Sequence, residues 1–292
     1  MSGLRAAIAA VFAGVIAAGC ASGGPGAASI EAPARDAALQ RAVDGAWRTP
    51  EARARDAQRH PVESLTFWGL KPGMTIIDIE PGAGAWWTPI LAPYAKETGG
   101  RYIAGFVDLG DPAVSQRARE ARAGFQGEWA DETIYGDVAV VDFGPHSGLG
   151  AADASADFIL AARTFHGWAR TEGRTDRFMA EFARVLKPGG VLAVEQHRAA
   201  EGADVSATAP KGYVPEAFII AAAERAGLRF AGRSEINANV RDDRDHPFGV
   251  WTLAPVRRTS PLGQPDNPAF DRTEYDAIGE SDRMTLKFVK PG

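Results

Sequence analysis

The stretch Asp78-Ile79-Glu80-Pro81-Gly82-Ala83-Gly84-Ala85 joins an apolar run, Met74 to Ile79, to a helical pattern from Trp86 to Lys96. The run is short, continuous and bounded by Pro72-Gly73 and Pro81-Gly82, which predicts a strand buried on both faces of a parallel sheet. Gly82 and Gly84 let the backbone turn sharply and approach a ligand with no Cβ in the way. The helix that follows offers free N–H groups and a positive dipole end. In an open parallel sheet such a turn is where ligands sit. A dinucleotide site wants a further glycine where this chain has Trp87, whose bulk opposes close helix–strand packing, so a dehydrogenase is disfavoured. A glycine turn that binds nothing is the bland alternative.

Outward from this turn, strands are predicted at Arg101 to Val107, Val138 to Val141, Ala156 to Ala162, Val191 to Glu195, Leu228 to Asn237 and Arg283 to Val289. Helical patterns lie between them, at Pro112 to Phe125, Thr175 to Leu186 and Pro215 to Ala226. The alternation predicts an α/β fold: a doubly wound, mostly parallel seven-stranded sheet. Three amphipathic stretches before it, Asp36 to Trp47, Glu51 to His60 and Glu63 to Leu70, read as an N-terminal helical cap. Residues 238–282 form a long insertion before the last strand. A loop of that length in a compact domain is functional or disordered, and its apolar piece Phe248 to Leu253 predicts packing.

The turn resembles the first motif of the class I, Rossmann-like methyltransferases, acidic-x-Gly-x-Gly-x-Gly, with Asp78, Gly82 and Gly84 matching and Glu80 standing where the first glycine is usual. Gly69-Leu70-Lys71-Pro72-Gly73-Met74 and Leu186-Lys187-Pro188-Gly189-Gly190-Val191-Leu192 are similar to the lead-in and the fifth-strand turn of that family. Phe165-His166-Gly167-Trp168, Glu195-Gln196-His197-Arg198 and the closing run Asp282 to Pro291 resemble one bacterial subfamily of predicted methyltransferases, over roughly four fifths of the chain. The resemblance implies S-adenosyl-L-methionine as cofactor, held by Asp78, Glu80, Gly82, Ala83 and Gly84. It also implies Asp108 on the ribose hydroxyls, with Asp142 and Phe143 at the adenine. Glu80 would place a carboxylate beside the methionine moiety, or block it.

Methyl transfer needs alignment and exclusion of water, and a general base only for a weakly acidic nucleophile. His166 and His197, after the fourth and fifth strands, are the candidate catalytic bases; hydrogen bonding to loop backbone is the alternative for each. Trp86, Trp87 and Trp168 are candidates to wall an apolar pocket. A single cysteine and histidines without helical metal-ligand spacing predict no dedicated metal site.

Hydrophobic residues make up 45% and charged residues 24%, enough for a sizeable core. The net charge of -5 argues against nucleic acid as partner and leaves a small-molecule substrate. Arginines interleaved with acids read as a solvated surface. Residues 1–20 carry Arg5, an apolar run from Ala6 to Ala18, and Ala17-Ala18-Gly19-Cys20. They resemble a lipoprotein signal in which Cys20 is lipidated, with an ordinary cleaved signal or an early start codon as alternatives. Residues 21–35 then form a flexible Gly/Ala/Ser/Pro tether, and residues 36–292 the methyltransferase-like domain. This address predicts a periplasm-facing envelope protein held to the membrane by a lipid. No supply of the cofactor is obvious in that compartment, so two readings stand: an active methyltransferase, and a non-catalytic envelope lipoprotein of the same fold that binds a small ligand or a protein partner.

Overall fold

The structure, a computed structural model, describes residues 36–82 and 84–292. The expected signal, the tether, Cys20 and Ala83 lie outside the described residues. Four short helices come first: α1 (Ala37–Val43), α2 (Pro50–Ala54), α3 (Asp56–Arg59) and α4 (Pro61–Trp68). The middle stretch divides at Arg55, and His60, at φ 42°, turns the chain into α4, where Pro61 sits in the first turn, where it is tolerated. Then follow β1 (Thr75–Ile79), α5 (Thr88–Thr98), β2 (Arg101–Val107), α6 (Gln116–Glu128), α7 (Glu132–Tyr135), β3 (Val138–Gly144), β4 (Gly148–Leu149) and β5 (Ala156–Ala162). The chain continues through α8 (Phe165–Trp168), α9 (Arg174–Val185), β6 (Leu186–His197), α10 (Val205–Thr208), α11 (Glu216–Arg225), β7 (Arg229–Ser234), α12 (Thr273–Ile278) and β8 (Arg283–Val289).

The sheet is mixed and eight-stranded, in the order β4-β3-β2-β1-β5-β6-β8-β7. Strands β3, β2, β1, β5 and β6 are parallel, whereas β8 runs antiparallel between β6 and β7. The fold class stands, with one strand more than the sequence predicts. The addition, β4, pairs antiparallel with the end of β3, and Glu181 Oε2 accepts from Leu149 N at 2.9 Å. Two residues are too few to show a period in sequence.

Alternation along β1 decides what lies on each face. Ile77 and Ile79 enter the core shared with α9 and α11, and Ile76 enters the core shared with α1, α4 and α5. Asp78 is therefore turned toward the second face, away from the first. The late insertion packs as expected: a 3-10 turn, Gly249–Thr252, buries Val250, and Leu253 is buried just beyond it. No helix among the described residues is long and apolar enough to cross a membrane.

Candidate functional site

The strand order reverses between β1 and β5, and loops leaving the carboxyl ends of those two strands diverge to leave a crevice. After β1 the chain enters the glycine turn; after β5 it enters Arg163, Thr164 and α8. Two cavities lie here. The smaller, about 110 Å³, is lined by Glu80, Val107, Asp108, Phe143, Trp168 and Arg174 among others. The larger, about 230 Å³, is bounded by Glu80, Pro81 and Gly82 from the β1 turn and by Arg163, Thr164 and His166 from the β5 loop. His197 from β6, Arg59 from the cap and Trp251, Pro255 and Glu280 from the insertion complete it. Glu80 lines both.

Glu80 takes φ 47°, the left-handed conformation of the glycine it resembles in position, while Gly82 and Gly84 stand at 77° and 92°. A non-glycine residue there costs on the order of 1–2 kcal/mol. Its carboxylate accepts from Trp168 Nε1 at 3.0 Å. The side chain is exposed along the crevice yet crowded by protein. Burial therefore pushes its carboxyl up, against the Trp168 hydrogen bond and the nearby Arg174, which pull it down. No atom lies within 4 Å of where a Cβ on Gly84 would stand, so the turn opens onto free space.

The other predicted cofactor residues separate into two groups. Asp108 and Phe143 line the smaller cavity. Asp108 Oδ1 accepts from Gly110 N at 2.7 Å, and hydrogen bonds from Ser147 and Gly110 hold its carboxyl below the usual range. Phe143 is buried against Phe178, ring centroids 4.3 Å apart. Asp78 lines neither cavity. Its carboxylate accepts from the Tyr102 hydroxyl at 3.0 Å, and Tyr102 meets Thr88 Oγ1 at 2.8 Å, so strand alternation sends it into the core, away from both cavities. Burial pushes Asp78 up to about 7, against the Tyr102 hydrogen bond and Arg163. Asp142 is also drawn elsewhere: its carboxylate is ion-paired with Arg122 of α6 and does not line either cavity.

His166 and His197 do come together, ring centroids 6.2 Å apart, on the wall of the larger cavity. His197 Nδ1 lies 2.6 Å from Ser281 Oγ, and Gln196 Nε2 lies 3.5 Å from His166 Nδ1. Burial first, then Arg170, lowers His166 to about 4; burial, His166 and three arginines lower His197 further below its ordinary value. Both rings are thus neutral near pH 7 and free to accept a proton, but only weakly basic. Of the three tryptophans, Trp168 reaches a cavity. Trp86 and Trp87 pack under the cap instead, with Trp86 Nε1 donating to Ala52 O at 3.0 Å and Arg59 4.8 Å above its ring.

Sequence reasoning missed a set of buried arginines, of which Arg59 lines the larger cavity. Arg48, Arg59 and Arg283 are no more than 2% exposed, which overturns the solvated-surface reading for them. Glu280 joins Arg55 Nε at 2.7 Å, Arg59 Nε at 2.9 Å and Arg283 Nη1 at 2.5 Å. Arg283 Nε lies 3.1 Å from Glu195. Glu280's partners in the cap, Arg55 and Arg59, lie more than two hundred residues away in the chain, which no local pattern reports. The insertion also gathers Asp242, Asp243 and His246, with His246 Nε2 2.8 Å from Asp242 Oδ1. Asp242 is already engaged by Tyr213 and by the N–H groups of Arg244 and Asp282, which makes the group a fastening of the loop.

Residues 91–194 match the model of a family described as a methyltransferase domain. Among solved structures, the (4+2)-cyclase SpnF superimposes with a TM-score of 0.51 at 17% identity, covering 87% of this chain and 91% of its own. A SAM-dependent methyltransferase from Aquifex aeolicus gives 0.46 at 23% identity, covering 63% and 87%. The N-methyltransferase NodS from Bradyrhizobium japonicum gives 0.47 at 14%, covering 83% and 98%. Among curated sequences, none matches the chain. The fold is the Rossmann-like one that SpnF shares, and the match over residues 91–194 is to a methyltransferase domain, whose cofactor would be S-adenosylmethionine. Since SpnF is a cyclase, fold alone does not name the reaction. The residues present fit the cofactor. The turn at Gly84 is open, Asp108 and Phe143 line one cavity, and Glu80 joins that cavity to a second one large enough for a reacting partner.

Proposed function

We propose that the chain is an S-adenosylmethionine-dependent methyltransferase acting on a small molecule. The observation that carries this is the pair of cavities meeting at Glu80, at the point where the strand order reverses. In this reading Val107, Asp108 and Phe143 hold the adenosine, and Glu80, Gly82 and Gly84 hold the methionine. When bound, the cofactor supplies a methyl group on a sulfonium whose leaving group is a neutral thioether. Glu80, fixed by Trp168, offers a negative charge to that cationic end, where it is worth more than in water. The larger cavity takes the substrate. Trp251 and Pro255 of the insertion form part of its wall.

His166 and His197 are the candidate proton acceptors. Held weakly basic by burial and the arginines, they suit a nucleophile that loses its proton readily or is already deprotonated. A weakly acidic hydroxyl would be poorly served. The test is calorimetry on the full chain with S-adenosylmethionine and S-adenosylhomocysteine. Micromolar binding is expected, at least tenfold weaker in Asp108→Ala. No heat with either ligand overturns the enzyme reading and leaves the non-catalytic binder.

The address belongs to the same proposal: Cys20 carries a lipid, and the domain faces the periplasm of a bacterial envelope on a short tether. Cys20→Ser is expected to move the protein from the membrane fraction to the soluble one. A Cys20→Ser protein that still sediments with membranes refutes the anchor.

A further inference from the structure

Beside the larger cavity lies a cluster of guanidinium groups, of which Arg59 and Arg163 line it. Four guanidinium groups, of Arg55, Arg59, Arg163 and Arg283, gather about Glu195 and Glu280. About Glu195 and Glu280 themselves the guanidiniums number four to two; Glu80 at the far end of the cavity and Asp78, within reach of Arg163, are the further carboxyls nearby. The two histidines between them are neutral, and Arg170 lies beside His166. A buried charge is ordinarily retained only with a partner, because taking it out of water costs several kcal/mol.

Three donors on the cavity wall lack that partner among the described residues. They are Arg163 Nε, Arg59 Nη1 and Thr164 Oγ1. Arg59 is 1% exposed and Thr164 8%. Arg59 spends its Nε on Glu280 and leaves Nη1 over. Arg163 forms no ion pair among the described residues, and it sits at φ 62°, a left-handed conformation that a long side chain rarely adopts. It leaves the carboxyl end of β5 directly beside the β1 turn, with its N–H bonded to Glu195 O at 2.7 Å. The neighbouring structure thus holds the residue in a strained state at the ligand edge.

We infer that Arg163, Arg59 and Thr164 form an oxyanion receptor, and that the substrate bears a carboxylate or phosphate-like group which this receptor seats. Guanidinium forks match such groups with paired hydrogen bonds, and Thr164 adds a third donor. An anion there would satisfy the three orphaned donors in one event. This inference rests on the methyltransferase reading only for calling the anion's carrier a substrate.

The cofactor has a carboxylate of its own, so the experiment separates the two sources. Inorganic phosphate is titrated into the full chain with and without saturating S-adenosylhomocysteine, and S-adenosylmethionine is titrated separately. Phosphate is expected to bind the homocysteine-saturated protein, at least tenfold more weakly in Arg163→Met and severalfold more weakly in Thr164→Val, which keeps the shape of the side chain. S-adenosylmethionine affinity is expected to change less than threefold in both. Phosphate binding that is absent, or indifferent to both variants, overturns the receptor. A tenfold loss of S-adenosylmethionine affinity in Arg163→Met reassigns the guanidinium to the cofactor and overturns it too. If the wild type binds phosphate through Arg163 yet never binds S-adenosylmethionine, the receptor stands and the methyltransferase reading falls.

Discussion

Asp78 stands in the motif that the sequence assigns to the cofactor but lies in the core rather than in either cavity, and its chemistry makes that burial measurable. Its position in the acidic-x-Gly motif marks it as a cofactor residue, but β-strand alternation sends its carboxylate into the core beside Tyr102. Burial raises it from 3.8 to about 7 in the folded state. Between those two pH values the unfolded chain ionises this group while the folded chain keeps it protonated. The folded state therefore binds more protons, and stability falls as pH rises from about 4 to about 7, then levels off. A side-chain amide in place of this carboxyl still accepts from Tyr102 and does not ionise. Asp78→Asn is thus expected to gain stability relative to wild type across that window, by on the order of 1–4 kcal/mol. Urea denaturation at pH 4, 5.5, 7 and 8 reads it; a difference between the two proteins that does not vary with pH defeats the assignment. Glu80 shows the opposite outcome at the same scale. There the departure from glycine is visible in sequence, and the structure gives it a backbone angle and a partner, Trp168.

At the scale of elements, what sequence showed well was whatever repeats locally. Strands β2, β5 and β8 have the predicted bounds because each is a continuous or alternating apolar run between turn residues. β6 extends further back than predicted, since Leu186 already pairs with Ala156 before the Lys-Pro-Gly-Gly turn interrupts the register. The short helices α7, α8, α10 and α12, of four to six residues, carry too few turns to show a helical period. The cavity-lining piece of the insertion was legible only as apolar, through Phe248 to Leu253. That Trp251 meets His166 edge-on at 5.6 Å depends on how the insertion folds back, which is long-range information. The same holds for Asp142: its pairing with Arg122 requires α6 to lie beside β3, and the motif alone says nothing of that competitor.

Across the whole molecule, the larger cavity is assembled from four parts of the chain: the cap, the β1 turn, the β5 and β6 ends, and the insertion leading into β8. Glu280 is the fastening among them, since its carboxylate meets Arg55 and Arg59 of the cap region and Arg283 of β8. Burial alone would raise this carboxyl, but Arg283, Arg59 and Arg55 together outweigh it and hold it at about 2, against an ordinary 4.5. A depressed folded-state value gives stability that is complete above about 4.5 and lost as pH falls toward 2. Removing the charge leaves the arginines facing one another in the interior, a change that costs roughly 3–5 kcal/mol for a buried pair. Glu280→Gln is therefore expected to be destabilised by that order at pH 7, with the gap to wild type narrowing as pH drops below 4. Other carboxylates also protonate in acid, so the decisive quantity is the difference between the two proteins, which cancels their contribution. Denaturation of both at pH 7 and pH 3 supplies it. A gap that stays constant, or that widens in acid, shows that Glu280 is not ionised in the folded chain and that the cap is held to the insertion by packing instead.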